Sequence, residues 1–196
     1  MAEVWVFDAE AAPLGDCTGT LVEGTSFCLC DNSGNIGPGA AQGLFFRDTR
    51  ILSTWQLRID DDLIEPLTVI DGSAYNATFV GRTRPRPGQT ESTLLVERHR
   101  FIGAGMREDV VLSNLGREPA ASTLTIRTGA DFADLFDVKA GRVHQRGDLE
   151  VEHGAGSLQL TRRWEGSSRG VRIQADGGAV ASAPRPAKTI RPTVVV

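Results

Sequence analysis

The chain has 196 residues, and 21 Lys+Arg against 25 Asp+Glu leave a formal charge of −4 at pH 7, which argues against general nucleic-acid binding. A hydrophobic content of 40% over this length suits one folded domain rather than two domains or a disordered tail. No apolar run approaches the roughly 18 residues that span a bilayer, and Met1-Ala2-Glu3-Val4-Trp5 lacks the basic and apolar regions of a signal peptide. A cytoplasmic protein with no membrane partner is therefore expected.

Residues 1–17 hold an apolar knot at Val4-Trp5-Val6-Phe7 with no sustained period and read as a lead-in segment. From Thr20 onward short stretches alternate with a period near two between Gly, Pro, Asp and Asn, the pattern of half-buried strands and turns. Trp55-Gln56-Leu57-Arg58-Ile59 shows this well, and Trp55 falls on the core side. The same alternation places Met106, Glu108, Val110 and Leu112 on one face, before a turn at Asn114-Leu115-Gly116. Leu124 and Ile126, Leu149 and Val151, Leu158 and Leu160, and Val171 and Ile173 repeat it. These segments predict an all-β fold, an antiparallel β-sandwich of about ten or more short strands over residues 18–182. Only residues 131–136, with apolar side chains at Phe132, Leu135 and Phe136, read as one helical turn, with Asp131 as its N-cap. Residues 183–196 read as a linker and a truncated strand ending on the apolar Val194-Val195-Val196, an edge that would invite pairing if left open.

Several motifs could carry chemistry. Cys28-x-Cys30 could offer two thiolates, but Cys17, His99, His144 and His153 complete no zinc spacing, so no metal is expected. On a strand the two cysteines share one face and fit as small buried thiols, reduced by default. No Gly-x-Ser-x-Gly elbow is present, and Gly34-Asn35-Ile36-Gly37-Pro38-Gly39 lacks the Lys-Ser/Thr of a phosphate loop and reads as a surface loop. Arg82, Arg84 and Arg86 beside Pro85 and Pro87 could grip an anion, yet a solvated hairpin loop accounts for them as well. Arg47-Asp48-Thr49-Arg50 lies between apolar stretches, so its ions need partners, either an internal carboxylate or sugar hydroxyls. Asp131, Asp134 and Asp137 with Lys139 could form a glycosidase acid–base pair, or cap and pair locally.

Three ordered blocks carry a resemblance: residues 20–31 (TLVEGTSFCLCD), 43–53 (GLFFRDTRILS) and 130–139 (ADFADLFDVK). Over roughly residues 18–175 the chain resembles the N-terminal domain of bacterial amylo-α-1,6-glucosidase and glycogen-debranching-type proteins. The resemblance implies a β-sandwich ahead of a much larger (α/α) toroid that holds the catalytic carboxylates. Such a toroid needs about a dozen helices of ~11–12 residues, and nothing here matches it. The expected role is non-catalytic: to support the toroid, in a longer chain or in trans, and to shape its α-glucan site for glycogen or maltooligosaccharide, with no cofactor. The residues it points to as interdomain or glucan contacts are Arg47, Asp48, Thr49, Arg50, Asp131, Phe132, Asp134 and Lys139. A free-standing α-glucan-binding module using Trp164 and Tyr75 is the alternative, and a small hydrolase using Asp131 and Asp134 is a third reading.

Overall fold

The computed structural model describes residues 19–38, 41–85, 92–144, 147–176 and 188–195, the last of these in backbone only. The lead-in segment with Trp5 and Cys17, the linker part of residues 183–187, Arg86 and Val196 lie outside the described residues. In chain order the strands are β1 Gly19–Glu23, β2 Ser26–Cys30, β3 Gly43–Phe46, β4 Thr49–Leu52, β5 Thr54–Ile59, β6 Asp62–Leu63, β7 Glu65–Asp71 and β8 Asn76–Arg82. Then come β9 Leu94–Ile102, β10 Gly105–Asn114, β11 Leu124–Gly129, β12 Ala133–Asp134, the helix α1 Leu135–Lys139, β13 Asp148–Gly154, β14 Ser157–Trp164, β15 Ser167–Asp176 and β16 Lys188–Val195. The fold is all-β, and its strand pairings are antiparallel. No described helix is long and apolar enough to cross a membrane.

The strands form an eight-stranded sheet ordered β13-β14-β15-β16-β10-β9-β8-β7, a five-stranded sheet ordered β1-β2-β3-β4-β12 and a three-stranded sheet ordered β11-β5-β6. The five-stranded sheet packs on the eight-stranded one through Cys28, Cys30, Leu44 and Leu52 on one side and Phe79, Met106, Leu160 and Val171 on the other. The three-stranded sheet covers the rest through Leu57 and Ile59 against Val96 and Val110. Two-residue turns match the twist of the hairpins because both central residues take positive φ: Arg47 and Asp48 between β3 and β4, and Asp60 and Asp61 between β5 and β6.

Strand β4 is buried at every position, which a one-sided strand is not. The cause is a second layer on the outer face of the five-stranded sheet, where Phe45 meets Ala133 and Val138, and Phe27, Leu29 and Leu135 pack around them. Phe27 and Phe45 stack there with ring centroids 4.5 Å apart.

Three expectations differ from the structure. The helix begins at Leu135 and its N-cap is Asp134, not Asp131, because Ala133 and Asp134 are first taken into pairing with Arg50 and Thr49 of β4. The glycine-bearing loop is not a surface loop over its first part: Gly34, Asn35 and Ile36 are buried, and Ile36 bridges Trp55. A Cβ at Gly34, whose φ is +77°, would stand 2.8 Å from the Phe79 ring, so only glycine lets this backbone approach so closely. Residues 188–195 are not left with an open edge, because β16 is hydrogen-bonded between β10 and β15. Its Pro192 falls where the register with β10 lapses, between Val110↔Ile190 and Arg107↔Thr193, so the missing N–H breaks no rung there.

Candidate functional site

The eight residues singled out from the sequence all lie on or beside the β3–β4 hairpin and the segment that crosses it, yet they divide into three groups. Arg50 and Asp131 are spent on each other. Arg50 Nε donates to Asp131 Oδ1 at 3.2 Å, Nη2 donates to Oδ2, and Nη1 donates to the Gln42 carbonyl at 3.1 Å. Both side chains are largely buried, so this bidentate pair fastens residues 131–134 to β4. A Cβ at Gly43 would stand 2.5 Å from Arg50 Cδ, so this glycine makes room for the guanidinium stem.

Asp48, Asp134 and Lys139 form the second group, exposed at the rim. The Asp48 carbonyl accepts from Leu135 N at 2.8 Å, and Asp134 Oδ1 accepts from Phe136 N at 2.8 Å, which fixes the start of α1. Lys139 ends the helix, where a cation suits its C-terminus. The Asp131 and Asp134 carboxylates therefore serve an ion pair and a cap. Phe136 projects from this corner at 73% exposure, unusual for so large an apolar side chain.

The third group, Arg47, Thr49 and Phe132, lines a groove of about 290 Å³ together with Phe46, Ile51 and Arg169. Phe132 holds φ at +50°, a region costly for a bulky residue, and this turns its ring into the groove. Arg47 lies over the Phe46 ring, its Cζ 5.2 Å from the centroid. Arg169 Nη1 donates to Thr49 Oγ1 from β15, tying the two sheets at this corner. Arg169 was not among the residues chosen from sequence, although it stands two and four residues before the buried Val171 and Ile173 and so faces the core side of β15.

Sequence reasoning also missed a buried ion cluster between the sheets. Arg98 and Arg100 of β9 and Glu108 of β10 are 1%, 0% and 0% exposed. Glu108 Oε1 accepts from Arg98 Nη2 at 2.9 Å and from Trp55 Nε1 at 3.1 Å, while Oε2 accepts from Arg100 Nε at 2.8 Å and from its Nη2. Arg98 Nη1 also donates to the Ser33 carbonyl at 2.6 Å and to Asn35 Oδ1 at 2.8 Å, and Arg100 Nη2 donates to the Gly34 carbonyl. These acceptors explain why the 33–36 loop is drawn inside. The available signal was two arginines at alternate positions with Leu94, Val96 and Ile102, and a glutamate between Met106 and Val110.

Burial opposes ionisation of Glu108, but Arg100 and Arg98 outweigh it and hold the carboxyl down to about 2. Burial likewise lowers Arg98, against the pull of Glu108. Cys28 and Cys30 are buried as expected from their shared face, and Arg100 Nη1 reaches Cys28 Sγ at 3.6 Å. The hydrogen bond from Cys30, and then Arg100 against the cost of burial, lowers the Cys28 thiol to about 7, while the same bond and burial push Cys30 up. Among the described residues no three His, Cys, Asp or Glu side chains gather as metal ligands. Arg82 ends β8 and its Nε donates to Glu65 Oε2 at 3.1 Å, with Arg84 beside the same carboxylate, while residues 86–91 lie outside the described residues.

No curated protein matches this chain. A family model described as the N-terminal domain of some glycogen debranching enzymes matches residues 21–192, which runs from within β1 to within β16. With all but the outermost residues matched, the chain belongs to the family of N-terminal domains of glycogen debranching enzymes.

Proposed function

We propose that this chain is a non-catalytic accessory domain of a cytoplasmic glycogen-debranching glycoside hydrolase of the amylo-α-1,6-glucosidase type. It supports the catalytic (α/α) toroid and shapes the edge of its α-glucan site. The observation that carries this reading is the family match over residues 21–192. The hairpin corner is the face assigned to the toroid, because Phe136, the most exposed large apolar side chain described, stands there beside Asp48, Asp134 and Lys139.

The test is glucose release from a branched α-glucan by the purified chain, alone and with the separately made toroid domain of a related enzyme. The chain alone should release none, and adding it should raise the toroid's activity or its melting temperature. Release by the chain alone, or a toroid indifferent to it, would overturn the reading.

The alternative, a free-standing glucan-binding module, draws on Trp164 and Tyr75, exposed by 43% and 42%. Tyr75 precedes β8 and Trp164 ends β14, and these strands are five positions apart in the sheet, about 24 Å at the usual strand spacing. That separation does not make one flat sugar platform. Glycogen co-sedimentation abolished by replacing both rings with Ala would favour the module nonetheless.

A further inference from the structure

We infer that the groove between β4 and β15 is a binding site for a phosphorylated sugar. This inference is independent of the accessory role, since it concerns what the chain binds by itself. Two guanidinium groups, Arg47 and Arg169, line the groove, and neither pairs with a carboxylate among the described residues. Their neighbour Arg50 shows the contrast, its charge being met by Asp131. In a chain with net charge −4, two guanidinium groups at one groove with no carboxylate partner among the described residues form a local site for an anion.

The remaining walls specify what the anion is attached to. Phe132 and Ile51 present apolar surface, which suits the C–H face of a sugar ring, while the Phe46 ring carries the Arg47 guanidinium. The volume of about 290 Å³ lies at the small end of ligand pockets, about 300–1,000 Å³, and so fits a monosaccharide rather than a chain of them. The Thr49 hydroxyl accepts from Arg169 and keeps its own proton to donate to a phosphate oxygen. Arginine offers a planar pair of N–H groups to a phosphate, and two arginines on different sheets can grip different oxygens.

The test is titration calorimetry of the full chain at low salt with three probes: glucose 6-phosphate, inorganic phosphate and glucose. Glucose 6-phosphate should bind at least tenfold more tightly than either of the others. Arg169→Gln and Arg47→Gln, made separately, should each weaken it about 10- to 100-fold, as the loss of a charge-assisted hydrogen bond does. Arg47 sits in an exposed turn, so its variant reads binding even if Arg169→Gln loosens the sheet contact. Equal binding of inorganic phosphate removes the sugar from the assignment, and equal binding of glucose removes the anion. A protein carboxylate as the true occupant would leave all three probes silent. Each of these results, like binding that ignores both arginines, overturns the inference.

Discussion

Replacing Glu108 with Gln tests whether the buried ion cluster holds the two main layers together. The substitution keeps the side-chain shape but removes the charge that faces two guanidinium groups with almost no solvent exposure. Arg98 and Arg100 retain the Ser33 and Gly34 carbonyls as acceptors, but two positive charges are then left in the core with no counter-ion from the carboxylate. Breaking a buried pair from one side costs about 3–5 kcal/mol. For a chain of this length each kcal/mol moves the melting temperature by about 2–4 °C, so a fall of about 6–20 °C is expected. Differential scanning calorimetry measures it, with urea unfolding as the isothermal check. The pH dependence follows from the depressed folded value: Glu108 contributes fully above its ordinary value of 4.5, and the contribution is lost as pH falls toward about 2. The gap between wild type and variant should therefore be constant above pH 5 and close between pH 4.5 and 2. A fall below about 2 °C at pH 7, or a gap that does not close in acid, would refute the claim that the charge of Glu108 stabilises the core.

Asp131→Asn removes the carboxylate that Arg50 grips in a largely buried setting and should cost about 3 kcal/mol by urea unfolding; Arg50→Lys, made separately, should cost a similar amount because a lysine cannot make the bidentate pair. Gly34→Ala should destabilise by more than 1 kcal/mol, since the methyl meets the Phe79 ring at a positive φ; equal melting temperatures would show that the loop can move aside. Cys28 is lowered from 9.0 to about 7, so its contribution is present above pH 9 and lost as pH falls through 7. Wild type should thus gain about 2 kcal/mol over Cys28→Ser between pH 7 and 9, and parallel stability curves for the two would contradict the lowered thiol.

What could be read from sequence was set by how many faces of each strand are covered. Strands β5, β8 and β9 bury alternate residues, and there the period of two is visible directly. Strands β3 and β4 carry Leu44-Phe45 and Ile51-Leu52 with both neighbours inside, because the 133–143 segment covers their outer face, and local pattern does not announce such a layer. The inward course of residues 33–36 was hidden for a different reason. Its partners Arg98 and Arg100 are more than sixty positions away, so no window of sequence holds both halves of the interaction. The candidate site was legible as a cluster of residue types, since Arg47, Thr49, Arg50, Asp131 and Phe132 do converge. Its division was not legible, because which arginine finds a carboxylate depends on the bend at Phe132 and on the arrival of β15.

That division gives β4 two tasks that depend on each other. Arg50 points to one side and anchors Asp131, and the anchored segment then pairs Ala133 with Arg50 and Asp134 with Thr49. Between the anchor and the pairing stands Phe132, held at φ +50° by constraints on both sides of it. Such a conformation persists only while its surroundings over-determine it. Phe132 thus stands between the bonded Asp131 and the strand-paired Ala133, so the ion pair is one of the constraints that hold its ring at the groove, although neither Arg50 nor Asp131 lines it. Loss of the pair at this corner should consequently be felt in the groove, through release of Phe132 to an ordinary backbone conformation, as well as in global stability, since Phe132 also belongs to the main core. The sandwich core itself, closed by Trp55, Glu108 and the two buried arginines, does not include this pair.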